Sequence, residues 1–329
     1  MSDKKFKGYP DITHISKEHL DENTSLAKIL AFVGNDKQVI DFGCATGYLA
    51  KLLAEQGCKT VGIEINPDAA KAAEQFCERV IVADLDYDKV EVIIGEQKFD
   101  VAIFGDVLEH LRDPWQVLKS VKDILNPNGC VIASIPNVAH GSVRLALLEG
   151  RFEYSELGLL DNTHLRFFTH DSLRHLFESS GYYIESEDST RLPIFDASPL
   201  TPNLNREKVS DELLEFIHAD KFSDSLQFVV RAYSCSTTHG HIALQEKCCE
   251  LRREMNQAGM ELQKTQAELQ KTQAELQKTQ AELQKTQAEL QKTQAESKQV
   301  VRAMESSKFW KIRTAWFKVK RLINPKPSG

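Results

Sequence analysis

Between residues 38 and 136, short apolar runs alternate with helical stretches. The runs are VIDFG at 39–43, TVGIEI at 60–65, VIVADL at 80–85, FDVAIFGD at 99–106 and GCVIASIP at 129–136. Each is separated from the next by an amphipathic segment, which predicts a βαβ series built on a parallel sheet. A further helix is expected to start at Thr169 and run to Leu176. From 190 to 225 the chain begins loop-like and rich in proline, then passes through a predicted helix at 209–219. LQFVVRAYS at 226–234 reads as the last strand. The α/β domain is therefore expected over 38–235, with an N-terminal helical cap region over 1–37.

The pattern then changes period. ELQKTQA occurs five times in succession from Glu261 to Ala295, placing Leu262, Leu269, Leu276, Leu283 and Leu290 seven residues apart. With leucine at heptad position a, the threonines 265, 272, 279, 286 and 293 fall at d. The register extends outward through Leu244, Cys248, Leu251, Met255 and Ala258, and on the far side through Val300 and Met304. Such a stretch, 244–305, predicts a helix of about 90 Å. Leucine fills only half of the core positions, so the seam is weak and does not specify an oligomer state. A self-associating coiled coil is expected; a solitary solvated helix or a low-complexity spacer is the plainer alternative.

The region 306–329 is the third texture. In KFWKIRTAWFKVKRLINPKP, Phe309, Ile312, Trp316, Val319 and Ile323 share one helical stripe, with Lys311, Lys318 and Arg321 across from it. From Lys298 to the end there are nine basic residues against the single acid Glu305. A basic amphipathic helix carrying tryptophans suits an anionic membrane surface, where each cation adds about 1 kcal/mol. A helix that docks on a partner protein has the same look.

Composition changes this picture little. The 329 residues carry a formal net charge of −7, which gives no reason to expect nucleic-acid binding. No run approaches the roughly 18 apolar residues needed to span a bilayer, and MSDKKFKGYPDITHIS has no apolar block, so a cytoplasmic protein is expected, at most peripheral to the membrane. The seven cysteines form no CxxC pair and are odd in number, which argues against a zinc site and against a disulfide framework. No metal is expected.

Chemistry concentrates at the ends of the strands. Asp41 closes the first, and Gly43 and Gly47 let the chain turn tightly and let a ligand approach the backbone. A dinucleotide fingerprint would put glycines at 43, 45 and 48, where this chain has Gly43, Ala45 and Tyr48. An acid at 41 also repels phosphate, whereas it attracts an ammonium or sulfonium cation. Glu64 ends the second strand, 21 residues after Gly43, where a carboxylate can accept both hydroxyls of a ribose. Asn66, Pro67 and Asp68 read as a helix cap with no further role. Asp84, after the third strand, is placed to accept an exocyclic amine; a surface-turn acid is its plain alternative. Asp106 and Glu109 have capping-box spacing, which gives Glu109 a structural explanation, with a functional role as the equal alternative. His110, beyond the fourth strand, is a candidate general base, or a histidine that packs beneath a loop. Asn137, His140, His164 and Arg166 are expected to overhang the same crevice as substrate contacts.

In this order and at these intervals, VIDFGCATG, VGIEINPD, VIVADLD, FDVAIFGDVLEHLRDP and GCVIASIPN resemble the successive motifs of class I S-adenosylmethionine-dependent methyltransferases. The resemblance covers about 38–190. It implies a Rossmann-like, seven-stranded, mostly parallel sheet with helices on both faces. YYIESED and LQFVVRAY would supply its antiparallel final hairpin. It implies S-adenosylmethionine (AdoMet) as cofactor, with Asp41 near the cationic methionine end and Gly43, Cys44, Ala45 and Gly47 in the loop beneath. Glu64 and Ile65 fall at the ribose, Asp84 and Leu85 at the adenine, and Asp106 and Val107 along the methionyl side. Ala45 stands where the family often has glycine. The sulfonium methyl is already activated, so the protein must chiefly align a nucleophile and exclude water; a base is needed only for a hydroxyl acceptor.

IPNVAHGSVRLALLEGRFEYSELGLLDNTHLRFFT is similar to a segment of bacterial methyltransferases of surface-polysaccharide pathways. A head, a coiled coil and a basic tail resemble the layout of O-antigen chain-terminating methyltransferases. That implies O-methylation of a sugar or lipid-linked glycan intermediate. A small metabolite or quinone-like acceptor is the second reading, and a non-catalytic cofactor-binding scaffold acting through its coiled coil the third. The expected partners are the acceptor, further copies of the chain through 244–305, and a membrane or protein docked on 308–323.

Overall fold

The computed structural model describes residues 20–235 and 238–323. The chain divides into two units, Met1–Cys248 and Cys249–Gly329. Residues 1–19, about half of the expected cap region, lie outside the described residues. Its remainder does form a helix, α1 (Ser25–Val33), started by the Thr24 side chain, which accepts from the Ala27 amide at 3.2 Å.

The first unit is a seven-stranded sheet in the order β3-β2-β1-β4-β5-β7-β6. Its strands are β1 (Gln38–Phe42), β2 (Lys59–Glu64), β3 (Arg79–Val82), β4 (Phe99–Gly105), β5 (Leu125–Pro136), β6 (Tyr182–Arg191) and β7 (Ser225–Ser234). The first five run parallel, while β7 lies antiparallel between β5 and β6. All five expected parallel strands and the closing hairpin are present.

Between the strands come α2 (Tyr48–Glu55), α3 (Pro67–Ala73), α4 (Val90–Ile94), α5 (Pro114–Val121), α6 (Gly141–Leu148), α7 (His170–Ser179) and α8 (Asp211–His218). The central strands are apolar at nearly every position because both sheet faces are covered. Ile40, Phe42, Phe104 and Val131 point to the face packed by α4, α5 and α7. Val39, Val101, Ile103 and Ile132 point to the face packed by α1 and α2. Caps stop and start the helices where the sequence places them. Asn66 accepts from the Asp68 and Ala69 amides ahead of Pro67, and Thr169 forms a reciprocal capping box with Ser172.

In the C-terminal part of the chain, α9 (Thr238–Ser306) carries the repeats, starting a few residues before the expected 244. Each repeat threonine donates its hydroxyl to the carbonyl of the glutamate four residues earlier, at 2.9–3.0 Å. The five repeat leucines stay 57–61% exposed on the single chain, so their stripe is available to another helix. After Ser307, α10 (Lys308–Ile323) carries the amphipathic tail, with Phe309, Ile312, Trp316 and Val319 exposed. Among the described residues, no helix is long and apolar enough to cross a membrane.

Candidate active site

The carboxyl ends of β1, β2, β3 and β4 open into one cavity of about 1080 Å³, lined on its other side by residues of the segment 156–164. Strand order reverses across β1 and β4, and this switch point is where open parallel sheets leave a crevice.

The loop after β1 is tightly held. Gly43 has φ 74° and Gly47 φ 81°. A Cβ on Gly43 would stand 2.6 Å from Val107 Cγ2, and one on Gly47 would stand 2.9 Å from the Ala73 Cα. Ala45 adopts φ 50°, the left-handed region that favours glycine, which explains the family's frequent glycine there. Gly43 and Ala45 line the cavity; Gly47 starts α2 instead, and buried Cys44 packs against Gly62.

Glu64 anchors this loop. Its Oε2 accepts the Ala45 amide and its Oε1 the Asn66 amide, both at 2.9 Å. It is buried yet lines the cavity, and a carboxylate has acceptor capacity beyond two bonds, so it fits a ribose diol. Asp41 sits one layer deeper, in register with Gly62 of β2 and Ile103 of β4. Burial, and secondarily the nearby Glu64 charge, push its carboxyl up to about 8. Asp41 is 3% exposed and does not itself line the cavity.

Ile65, Asp84, Leu85, Asp106, Val107, His110 and His164 all line the cavity. Asp106 is held at φ 56° by hydrogen bonds to its Oδ1 from Ser134 Oγ at 2.7 Å and Gln227 Nε2 at 2.9 Å. The expected capping box between Asp106 and Glu109 does not form. The short 3₁₀ turn Leu108–His110 begins after Val107 with no side-chain cap, because Asp106 turns back to Ser134 and Gln227. Glu109 is 1% exposed, lines the cavity, and neither of its carboxylate oxygens has a hydrogen-bond partner among the described residues. Burial, with Asp106 and Asp161 adding to it, holds its carboxyl well above the usual range.

Other expected acceptor contacts are drawn elsewhere. Asn137 is buried, donating Nδ2 to the Phe222 carbonyl at 3.2 Å and the Ser225 carbonyl at 2.9 Å. His140 is buried at the start of α6, with Nδ1 2.8 Å from Ser142 Oγ and Nε2 2.9 Å from the Leu192 carbonyl. Arg166 donates to the Arg112 carbonyl at 2.5 Å and lies over the Trp115 ring. None of the three lines the cavity. Tyr48 and Gln227, missed in the sequence, do line it; Tyr48 follows directly on the glycine loop, whereas Gln227 arrives from a strand remote in sequence.

Seven acids line the cavity, namely Glu64, Asp84, Asp86, Asp106, Glu109, Glu156 and Asp161, and no lysine or arginine does so among the described residues. That donor set fits a cationic sulfonium cofactor and is unsuited to a diphosphate.

A parallel sheet reversed at β1/β4, a glycine loop, a ribose-type glutamate and an antiparallel closing hairpin define a class I AdoMet-dependent methyltransferase. A family model described as methyltransferase domain matches residues 17–187, and the chain belongs to that family. It is similar to the ubiquinone biosynthesis O-methyltransferase of Acinetobacter baylyi, 26% identical over 176 residues, covering 51% of this chain and 73% of the relative. The enzyme of that name from Dinoroseobacter shibae is 31% identical over 149 residues, covering 44% of this chain and 59% of the relative. Across these and a third relative, the chain spans 52% to 73% of the curated protein's length. A solved AdoMet-dependent methyltransferase from Archaeoglobus fulgidus is 16% identical with a TM-score of 0.44, covering 63% of this chain and 91% of that one. The protein is an AdoMet-dependent methyltransferase.

Proposed function

We propose that this methyltransferase transfers the methyl of AdoMet to an uncharged hydroxyl of a sugar or lipid-linked glycan. The observation that carries this reading is the acid-rich cavity, lined by no lysine or arginine among the described residues. An acceptor presenting phosphate or carboxylate would meet repulsion there, whereas a neutral hydroxyl meets hydrogen-bond acceptors. Near the cavity lining, the rings of Phe152, Tyr154 and Phe167 stack edge-on or tilted, and Phe167 meets His164 at 6.0 Å between centroids. Tyr154 is exposed, giving a ring face against which a sugar can lie.

The second reading is O-methylation of a quinone-like hydroxyl, favoured by the curated relatives named as ubiquinone biosynthesis O-methyltransferases. In either case Gly43, Ala45 and Glu64 bind and orient the cofactor, and Asp41 acts on its cationic end by charge from beneath the loop. The 156–164 segment excludes water, and the acceptor enters past His110 and His164. In the glycan reading, α9 joins copies of the chain through its leucine stripe, and α10 holds them at an anionic membrane surface where the acceptor resides.

Methyl-labelled AdoMet supplied to the full chain, with separated lipid-linked glycan and quinone fractions, distinguishes the readings. The label is expected in the glycan fraction; label confined to the quinone fraction selects the second reading, and label in neither overturns both.

A further inference from the structure

The turn carrying Glu109 and His110 meets His164, remote in sequence, at the acceptor side of the cavity. One donor atom each from Glu109, His110 and His164 lies within 4.8 Å of the other two. The two imidazole rings meet at 4.9 Å between centroids, inclined by 69°.

Second contacts hold all three. His110 Nδ1 lies 3.2 Å from the Thr163 carbonyl, and the Thr163 hydroxyl is fixed by Asp161 Oδ1 at 2.6 Å. His164 packs edge-on against the Phe167 ring at 6.0 Å between centroids. A ring nitrogen engaged by a carbonyl fixes the tautomer and leaves the other nitrogen's lone pair available, the arrangement that orients metal-bound histidines. The Glu109 carbonyl accepts the Leu165 and Arg166 amides, both at 2.9 Å, which ties the segment carrying His164 to the turn carrying Glu109 and His110. The Glu109 carboxylate itself is buried, and neither oxygen has a hydrogen-bond partner among the described residues. Leaving such a group without a partner is costly, because its desolvation is not offset. Among the described residues, no lysine or arginine lines the cavity to compensate it.

We infer that Glu109, His110 and His164 bind a divalent transition-metal cation that receives the acceptor hydroxyl. Two imidazoles and one carboxylate suit the borderline Zn²⁺, and among the harder ions Mn²⁺ better than Mg²⁺ or Ca²⁺, which take all-oxygen sets. Three protein ligands leave at least one position open to the cavity, as catalytic sites require. The role of the ion rests on the O-methylation reading. There the acceptor oxygen takes the open position, and its O–H ionises with the proton passing to water. The oxygen then attacks the sulfonium methyl, forming the new C–O bond as the S–CH₃ bond breaks and neutral S-adenosylhomocysteine (AdoHcy) leaves.

Metal binding is tested apart from turnover. The untagged full chain, stripped with chelator, is titrated with Mn²⁺ by loss of the free-ion paramagnetic signal, and with Zn²⁺ against a chromophoric chelator. Wild type is expected to bind one equivalent of each, and Glu109→Gln and His164→Ala to weaken both by more than about tenfold. Melting curves and AdoHcy titration report that the variants are folded. Absence of saturable Mn²⁺ and Zn²⁺ binding by wild type, or unchanged affinity in both folded variants, overturns the inference. Loss of AdoHcy binding by wild type would instead strike the methyltransferase reading itself.

Discussion

Asp41 lies beneath the glycine loop with its carboxyl pushed up to about 8, chiefly by burial and then by Glu64. At pH 7 such a group is roughly one-tenth ionised, and presenting it as a carboxylate costs about 1.4 kcal/mol for each pH unit below its midpoint. A bound sulfonium cation favours the ionised form, so AdoMet binding at pH 7 should release close to one proton, about 0.9. For the same reason the affinity should rise about tenfold between pH 7 and pH 9 and then level. Calorimetry at pH 7 in two buffers of different ionisation enthalpy counts the protons. Asp41→Asn keeps the shape, removes the titration, and shares with wild type whatever titration the ligand contributes. The wild-type surplus in proton release and in pH dependence therefore belongs to Asp41. If the two proteins release the same number of protons and show the same pH profile, the cation-attracting role of Asp41 is wrong. The sign for stability is the opposite of that for binding. The fold favours the neutral acid, so the contribution of Asp41 to cofactor-free stability falls as pH rises from about 4 to 8.

Three further outcomes follow from the same structure. Glu64→Ala removes the acceptor of the Ala45 and Asn66 amides as well as the ribose contact; hydrogen bonds to a charged group contribute about 1.5–3 kcal/mol each, so calorimetry should show AdoHcy affinity at least about tenfold weaker, with a lower but still cooperative melt. Unchanged affinity would remove the ribose assignment. A chain ending at residue 248 should keep AdoHcy binding and lose self-association in sedimentation; a truncated head that still oligomerises would refute the leucine-stripe assembly. Trp316→Glu, on the exposed stripe of α10, should abolish co-flotation with anionic vesicles while AdoHcy binding stays unchanged, and equal flotation of the mutant would remove the membrane role of α10.

Those predictions draw unequally on sequence and on fold. The five parallel strands were legible because each is a short apolar run bounded by turn residues, and the caps at Asn66 and Thr169 because capping is a local hydrogen bond within three residues. The glycine loop and Glu64 were legible for a related reason: the backbone at the end of a strand constrains both residue type and spacing. The capping box at Asp106 and Glu109 was a false local solution. Its spacing was right, but Asp106 found stronger partners in Ser134 and Gln227, 28 and 121 residues away.

Four polar residues of the same loop region look alike in sequence, yet tertiary packing separates them. His140 and Asn137 are drawn inward because the backbone carbonyls of Leu192, Phe222 and Ser225 need donors there. His164 is turned to the cavity beside a histidine 54 positions earlier, and Arg166 to the Arg112 carbonyl. By itself, then, the sequence determined the class of fold, the preference of the loop site for a cationic ligand and the periodicity of α9 and α10, since these rest on local patterns of burial, turn and charge. Only the tertiary structure decided which acids and histidines share one cavity and which are consumed in holding the backbone. A side chain's surroundings are set by segments distant along the chain, and no spacing rule reaches that far.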